Sequence, residues 1–294
     1  MLLACGQSED ERQRVSHAES VRAARADSAA LKVAVTPTLD CLPMYVARAC
    51  NLFDTLGADV RLRPYTAQMD CDTAFERSRV EGMATDLVRG QRLIRRGFPL
   101  TYVTATDAYW QLVTNRNARL TQLRHLDDRM VAMTRFSATA LLADEAVSRG
   151  RLKPERVFMV QINDVGVRLD MLRNNSMDAM LLPEPQAAVA RHGRHRVLLD
   201  SRNLDICLGA VAFRPALLKD TARKRQIDVF IKAYNMACDS INKNGVAAYR
   251  DLIARFCGVP ELVVDSAMGA LRFRHAALPR KKDIEAADKW LDRQ

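Results

Sequence analysis

Residues 31–62 read LKVAVTPTLDCLPMYVARACNLFDTLGADVRL, and this stretch decides the fold class. The apolar run LKVAVT is typical of a buried strand. The apolar residues that follow, in MYVARACNLFDTLG, recur at helical spacing until Gly57 and predict one helix. DVRLRPY then alternates as a second strand does. A strand, a helix and a strand in this order predict a parallel βαβ unit.

The alternation of strands and helices continues over most of the chain. It predicts a helix at CDTAFERSRV, with Asp72 or Thr73 as its N-cap, and it restarts at Asp127 with the strand DRMVAMTR. The helix SATALLADEAVSRG follows, with Ser137 as a good N-cap. After Phe213 the chain reads as helices broken by glycines and prolines.

This order predicts the α/β fold class with two lobes, each a mostly parallel sheet flanked by helices. We expect residues 1–30 to be a flexible tether, residues 31–108 and 205–294 to form a discontinuous lobe 1, and residues 109–204 to form lobe 2. Two strands then connect the lobes as a hinge. Ligands of open α/β sheets bind beyond the carboxyl ends of the strands, so we expect a ligand in the cleft between the lobes.

Composition narrows the function classes. Of the 294 residues, 48% are hydrophobic and 27% are charged, which is typical of a folded globular chain. Every apolar run falls short of the ~18 residues that a membrane-spanning helix needs. The net charge of +10 comes from dispersed Lys and Arg residues, and no recognition-helix motif occurs. The sequence therefore argues against a nucleic-acid partner.

The first residues, MLLACGQ, resemble the cleavage box of a bacterial lipoprotein, in which Leu2, Leu3 and Ala4 would precede the lipid-bearing Cys5. Residues 7–30 lack aromatic side chains and have the composition of a solvated tether. We therefore expect a lipid anchor at Cys5 and a location in the cell envelope, facing the periplasm or the exterior. The alternative is a helical N-terminal segment on a cytosolic protein, since Ala, Arg and Glu also favour helices.

Several ordered segments resemble one protein family. Residues 31–62 resemble the opening of the type II solute-binding proteins of the alkanesulfonate, nitrate, taurine and thiamine-pyrimidine-precursor group. Residues 125–162, HLDDRMVAMTRFSATALLADEAVSRGRLKPERVFMVQI, and residues 174–193, NNSMDAMLLPEPQAAVARHG, are similar to second-lobe segments of that group. The order and spacing of the segments agree from Leu31 to about Phe213.

The resemblance implies a function as well as a fold. It implies a substrate-binding lipoprotein of an ABC transporter, which captures a small polar, zwitterionic or heterocyclic solute and delivers it to permease and ATPase subunits. Such a protein has no cofactor and does no covalent chemistry. Two cleft loops depart from the family: Thr36-Pro37-Thr38 stands where a glycine is frequent, and residues 81–86 read EGMATD. The ligand class of the relatives therefore does not carry over.

Two other functions stay open from the sequence. The same scaffold is used by enzymes, namely chorismate dehydratase and a thiamine-pyrimidine synthase, although the cysteine-rich iron motif of the latter is absent. A ligand-sensing regulatory domain is the third alternative. The five histidines are scattered, and the sequence has no Cys-x-x-Cys, His-Glu-x-x-His, phosphate-binding glycine loop or Gly-x-Ser-x-Gly motif. It therefore predicts no metal site and no catalytic residue.

Candidate ligand-binding residues follow from where the predicted strands end. They are Thr36, Thr38, Leu39, Asp40, Thr85 and Asp86 from lobe 1, Arg135, Phe136, Ser137, Thr139, Asp164 and Glu184 from lobe 2, and Trp110 near the hinge. Arg135 to Thr139 open a helix, whose free N–H groups and partial positive charge favour an anionic group. The alternative is that Ser137 only caps this helix.

Other candidates favour a different ligand. Four acidic residues suit amines or ring N–H groups, unless each is only a cap or a surface charge: Asp40, Asp86, Asp164 and Glu184. Four aromatic residues suit a planar ligand, although each type is also common in cores: Trp110, Tyr45, Tyr65 and Phe136. A zwitterionic or heterocyclic ligand therefore fits these residues better than bare nitrate or sulfate.

The cysteines other than Cys5 number six, which allows disulfides outside the cytoplasm. Cys41 and Cys50 lie at the two ends of one predicted helix, roughly 13 Å apart at 1.5 Å per residue, beyond the ~7 Å limit for a bridge. Cys41 and Cys71 follow neighbouring strands at the same end of the sheet. A Cys41–Cys71 disulfide is the expected bridge, and buried free thiols are the alternative.

Overall fold

The structure is a computed structural model that describes residues 19–22, 27–263, 268 and 271–294. Its strands are β1 (Leu31–Val35), β2 (Val60–Pro64), β3 (Gly82–Asp86), β4 (Thr101–Ala105), β5 (Trp110–Thr114), β6 (Arg129–Met133), β7 (Val157–Gln161), β8 (Ala179–Pro183), β9 (Arg196–Asp200) and β10 (Gly209–Phe213). Its helices are α1 (Leu42–Ala49), α2 (Leu52–Thr55), α3 (Gln68–Glu76), α4 (Leu87–Arg95), α5 (Ala138–Arg149), α6 (Val165–Arg173), α7 (Gln186–His192), α8 (Thr221–Asn244), α9 (Arg250–Cys257) and α10 (Lys281–Leu291).

The strands form two five-stranded sheets. The first has the order β2-β1-β3-β10-β4 and the second the order β7-β6-β8-β5-β9. In the first sheet β10 runs antiparallel to both neighbours, and in the second sheet β5 does so. Each of these is the strand that the chain forms immediately after it crosses between the sheets. The structure thus confirms the predicted two-lobed α/β fold, with each sheet and its flanking helices forming one lobe.

The two faces of β1 show why the first lobe folds as a layered structure. Val33 and Val35 pack into the apolar cluster that contains residues of α1 and α8, whereas Ala34 packs on the opposite face with Cys71 and Phe75 of α3. A strand that is buried on both faces is a nearly continuous apolar run, as LKVAV is. The sheet is therefore covered on both sides, and the open positions lie beyond its strand ends.

Glycine is required at the first residue of β3. Gly82 pairs with Phe213 of β10, and a Cβ at Gly82 would lie 2.4 Å from the Phe213 ring. The aromatic ring occupies the space that any other residue's side chain would need.

Three predicted helix features differ from the structure. The single helix predicted before Gly57 is split, because Asn51 adopts a left-handed conformation (φ 57°) between α1 and α2. The prediction of Asp72 or Thr73 as an N-cap is wrong: α3 begins at Gln68, and Asp72 lies within the helix, where it pairs with Arg89. Residues 271–280, predicted as helix, form an irregular segment.

The C-terminal helix α10 contacts both lobes. Gln91 and Arg95 of α4 donate hydrogen bonds to the Asp288 carboxylate at 2.5 and 3.0 Å. From the same helix, the Trp290 indole N–H donates to Asp144 of α5, in the second lobe, at 2.8 Å. Helix α10 therefore bridges the outer sides of the two lobes.

The predicted Cys41–Cys71 disulfide is not formed. Both residues are free, buried thiols. Cys41 belongs to the apolar cluster on the α1 and α8 face of the first sheet, and Cys71 belongs to the cluster on the α3 face, so the sheet lies between them. The predicted lipidation site, Cys5, and most of the predicted tether lie outside the described residues. Within the described residues, no helix combines the length and apolar character needed to span a membrane.

Candidate functional site

Two small cavities lie between the lobes, at the carboxyl ends of the strands. The first has a volume of about 20 Å³ and is lined by Leu39, Asp40 and Glu184 together with residues of the first crossing. The second, of about 10 Å³, is lined by Thr36, Thr38, Asp40, Thr85 and Trp110, among others. Asp40 lines both cavities. The two cavities thus bring together seven of the thirteen candidate positions. The other six do not line them: Asp86, Arg135, Phe136, Ser137, Thr139 and Asp164.

The cleft is closed in this structure. The Leu39 N–H donates to the Glu184 carbonyl at 2.7 Å, and the Gln186 side chain donates to the Pro37 carbonyl at 2.8 Å. These bonds join the loop after β1 to the loop after β8. A cavity of about 20 Å³ holds roughly one water molecule. Entry of any larger ligand therefore requires the lobes to separate.

Asp40 carries a partly buried carboxylate without a cationic partner among the described residues. The Thr106 hydroxyl donates to it at 3.0 Å, and the Thr38 hydroxyl is its second side-chain donor. The charged group that acts on it is another carboxylate, Asp107. Burial raises the pKa of Asp40, and the like charge of Asp107 adds to this effect. Among the described residues, none of the ion pairs includes Asp40.

The other two carboxylates that line the first cavity are paired. Glu184 accepts hydrogen bonds from Arg191 at 2.6 Å, the Tyr109 hydroxyl at 3.0 Å and the Ala188 N–H at 3.0 Å. Asp107 accepts from the backbone N–H and the guanidinium of Arg274 at 2.8 and 2.6 Å. Asp40 is thus the one uncompensated carboxylate of the three.

The predicted anion position at the start of α5 is already occupied. Ser137 caps the helix, because its hydroxyl accepts from the Thr139 N–H at 3.1 Å and donates to the Thr134 carbonyl at 2.7 Å. The Ala138 N–H donates to the carboxylate of Asp86, from the other lobe, at 3.0 Å. Ser137 and Thr139 are buried. Ser137 therefore serves as the N-cap of α5, and its role in ligand binding stays a prediction.

Asp86 is fully buried at the end of β3. Its Oδ1 also accepts from the Arg89 N–H at 3.0 Å and so caps α4, while its Oδ2 has no hydrogen-bond partner among the described residues. The Arg89 guanidinium is buried beside it and pairs with Asp72. Burial raises the pKa of Asp86 to about 7, although the charge of Arg89 opposes this shift.

Three predicted residues lie away from the cavities. Arg135 is exposed and, with Phe136, lines a separate surface pocket of about 350 Å³ next to Trp290. The Phe136 ring packs under the Arg92 guanidinium, 4.3 Å from its centroid. Asp164 caps α6 by accepting from the Val167 N–H at 3.0 Å.

Of the four aromatic candidates, Trp110 is the one that lines a cavity between the lobes. Tyr45 lies in the core, where its hydroxyl donates to the Thr36 carbonyl at 2.7 Å and its ring stacks on Phe256 at 4.3 Å. Tyr65 packs against the cluster around α3. The predicted stacking surface is therefore reduced to one indole.

Sequence reasoning missed several lining residues. Asp107 and Tyr109 lie in the crossing between β4 and β5, and Arg272 lies in the irregular segment before α10. The crossing was recognisable as the short link between two predicted strands. Residues 271–273 do not lie between predicted strands, because the sequence after Phe213 reads as helix, and so nothing in the sequence pointed to them as lining residues.

A buried arginine holds the strand ends of the second lobe. Arg168 of α6 donates to the Ile162 carbonyl at 2.7 Å and the Leu181 carbonyl at 2.8 Å, and it also bonds the Thr134 hydroxyl. Thr134 and Ile162 directly follow β6 and β7, and Leu181 lies in the middle of β8. Burial lowers the pKa of Arg168 to about 9. The described residues contain no cluster of three or more His, Cys, Asp or Glu side chains that would hold a metal ion.

Comparisons with known proteins identify solved structures that share the fold of this chain. The sequence matches no protein-family model and no curated protein. The alkanesulfonate-binding protein of Xanthomonas axonopodis pv. citri, bound to MOPS, is similar with a TM-score of 0.77 and 14% identity, over 90% of this chain and 91% of that chain. The periplasmic aliphatic sulphonate-binding protein of Escherichia coli gives 0.74 and 15% over 90% and 87% of the two chains.

A third structure extends the comparison. The periplasmic nitrate-binding protein of Synechocystis PCC 6803 gives a TM-score of 0.68 and 11% identity, over 87% of this chain and 74% of that chain. At such identities the likeness is one of fold and does not transfer binding residues from those proteins to this chain. The chain therefore has the two-lobed fold of the type II periplasmic binding proteins.

Proposed function

We propose that this protein is a solute-binding component of an import system, and that its solute carries a positive charge or N–H donors. The observation that carries the proposal is the carboxylate of Asp40, which is partly buried, uncompensated by any described cation and shared by both cavities between the lobes. A buried charge is costly unless it is paired. A cationic or N–H-bearing ligand would supply the missing partner.

The fold supports a binding role. The similar structures include sulphonate-binding and nitrate-binding proteins and the ligand-binding component of an ABC-type import system from Staphylococcus aureus. Sulphonates and nitrate are anions, whereas the unpaired group in this cleft is itself an anion. We infer that the present chain shares the capture mechanism of these proteins and differs in the sign of the charge that it recognises.

The capture mechanism we propose is lobe closure without covalent chemistry. Residues 31–108 and 205–294 would move as one body and residues 109–204 as the other, about the two crossings. Closure places residues from both lobes around the ligand, so a ligand shifts the equilibrium in proportion to its preference for the closed state. A ligand such as a small amine or a heterocycle would contact Asp40 of one lobe and Trp110 of the other.

We also propose a lipid anchor at Cys5, followed by a tether to about residue 30, which holds the protein at the cell envelope beside permease and ATPase subunits. The support is the small apolar box Leu2-Leu3-Ala4 before Cys5 and the solvated composition after it. Metabolic labelling with a palmitate analogue tests this anchor. Labelling lost in Cys5→Ser supports it, and an unlabelled wild-type protein contradicts it.

The ligand class is tested by thermal unfolding in the presence of small amines, guanidinium compounds, pyrimidines, amino acids, sulfonates and nitrate. We expect saturable stabilisation by members of the cationic or N–H-bearing group, with the compound recovered unchanged by mass spectrometry. Asp40→Asn should abolish this response. Asp107→Asn is the matched control, because it removes a lining carboxylate that already has a cationic partner.

Two results would contradict the proposed function. Stabilisation by sulfonates or nitrate alone would show that the ligand is an anion and not a cation or N–H donor. Conversion of the compound to a product would show that the protein is an enzyme.

A further inference from the structure

The start of α5 has the properties of an anion-binding position, and its occupant is part of the chain. The N–H groups at a helix N-terminus lack partners within the helix and attract negative charge. Here the Thr139 N–H bonds the Ser137 hydroxyl, and the Ala138 N–H bonds the carboxylate of Asp86. That carboxylate comes from the opposite lobe and is completely buried.

Asp86 differs from an ordinary cap. The aspartates Asp164 and Asp220 also cap helices, and each accepts from the backbone N–H three residues later at 3.0 and 2.8 Å. Asp86 makes the equivalent bond to the Arg89 N–H and, with the same oxygen, a second bond to a helix start on the other lobe. Its other oxygen is buried without a hydrogen-bond partner in the described chain. A residue needed only to cap α4 would not require a carboxylate in this position.

We propose that Asp86 is an internal anion that occupies the N-terminus of α5 and thereby excludes an anionic ligand from this contact between the lobes. The Asp86 carboxylate places a negatively charged oxygen within hydrogen-bond distance of the Ala138 N–H. An oxyanion from solution would otherwise take this position. A second negative group cannot enter, because it would face the fully buried Asp86 carboxylate at contact distance. The surrounding charges are Arg89, next to Asp86, and Asp72, which pairs with Arg89.

The inference deepens the ligand class given above, and to that extent it rests on the proposed function. With the helix start closed to anions, Asp40 remains as the cavity-lining carboxylate that has no cationic partner among the described residues. The occupation of the α5 N-terminus by Asp86 does not depend on the proposed function. It predicts how the protein responds to free anions, whether or not the protein binds a solute.

Replacing Asp86 by serine distinguishes its two hydrogen bonds, the one to the Arg89 N–H that caps α4 and the one to the Ala138 N–H of α5. Asp86→Ser keeps a good N-cap for α4 but removes the charge and the longer side chain that reaches Ala138. We expect sodium formate to stabilise this variant at pH 8, compared with sodium chloride at the same ionic strength, because formate is a small carboxylate that fits the vacated position. At ten times the dissociation constant, the unfolding midpoint should rise by about 2–4 °C.

Controls decide between occupancy and a general salt effect. The wild type should not respond to formate beyond its response to chloride, because its position is filled. Asp220→Ser makes the same chemical change at an exposed cap on α8 and should behave as the wild type. If Asp86→Ser responds no more than these two proteins, the proposal is wrong.

A folding defect does not prevent the test. Recovery of folded Asp86→Ser only when formate is present during purification supports the proposal. Asp86→Gly, which also retains an acceptable N-cap residue and leaves more room, is the second variant. Absence of formate-dependent stabilisation in both variants overturns the proposal. A failure of every solute to bind the wild type would instead contradict the proposed function and leave the formate result unaffected.

Discussion

Replacing Asp86 by asparagine should remove a pH dependence that the wild-type stability has between pH 5 and pH 8. The substitution keeps the size of the side chain and an oxygen that accepts hydrogen bonds from Arg89 and Ala138. It removes the titrating group. Burial raises the pKa of Asp86 to about 7 in the folded protein, from the ordinary value of 3.8. The groups that face it are Arg89, Asp72 and Tyr102.

The sign and size of the effect follow from proton linkage. A carboxyl group with a raised pKa holds a proton in the folded state that it has already lost in the unfolded state, so folding is stabilised as the pH falls through 7. At pH 8 both states are ionised and the contribution is close to zero. At pH 5 the folded state is protonated and the unfolded state is not, and Asp86 contributes about 3 kcal/mol.

Urea unfolding at pH 5, 6, 7 and 8 measures this contribution. The free energy of unfolding of the wild type, minus that of Asp86→Asn, should increase by about 3 kcal/mol from pH 8 to pH 5, at unchanged urea dependence. Asp40, whose pKa is also raised by burial, is present in both proteins and cancels in the difference. Asp72 is coupled to Asp86 by charge, so its response is part of the measured difference. Asp220→Asn, at an exposed cap, should follow the wild type. A constant difference across this pH range would refute the assignment of the titration to Asp86.

Three further outcomes follow from packing and burial. Gly82→Ala should lower the free energy of unfolding by about 1–3 kcal/mol, because the new methyl group meets the ring of Phe213, and Phe213→Leu in the same chain should restore part of the loss in urea unfolding. Arg168→Met should cost about 2–5 kcal/mol by the same assay, because buried carbonyl acceptors lose their donor; an unchanged midpoint would show that water replaces the guanidinium. Cys41 and Cys71 should react with a thiol reagent only after unfolding, and a Cys41–Cys71 peptide in a non-reducing digest would contradict the free thiols.

The fold was predictable because the periodicities are strong and local. The run that became β1 is apolar on both faces, and the change to helical spacing after it is clear in the sequence. The positions of Thr36, Thr38 and Asp40 followed from the same logic, since strand ends of a parallel sheet meet at one edge. Thr85, at the end of β3, reached the cavity for the same reason.

The rest of the site depends on contacts between residues that are distant in the sequence. The sequence predicts Asp72 as a helix cap, whereas in the structure it pairs with Arg89. It predicts Asp86 as a cleft residue, whereas in the structure Asp86 accepts a hydrogen bond from the Ala138 N–H. Arg135 was expected in the cleft, but Phe136 takes a left-handed conformation (φ 52°), and Arg135 lies on the surface. A left-handed conformation at a single residue such as Phe136 leaves no periodic pattern in the sequence, so it could not be predicted.

The position of β10 has a consequence for how the chain is made. This strand lies between β3 and β4, yet Gly209 follows its partner Asp86 by more than a hundred residues. During synthesis the facing edges of β3 and β4 stay unpaired until the whole second lobe has left the ribosome. Unpaired strand edges are templates for aggregation, and such distant pairings form slowly. The growing chain therefore carries an open sheet while more than a hundred residues are added after β4, and β10 is the segment that closes it.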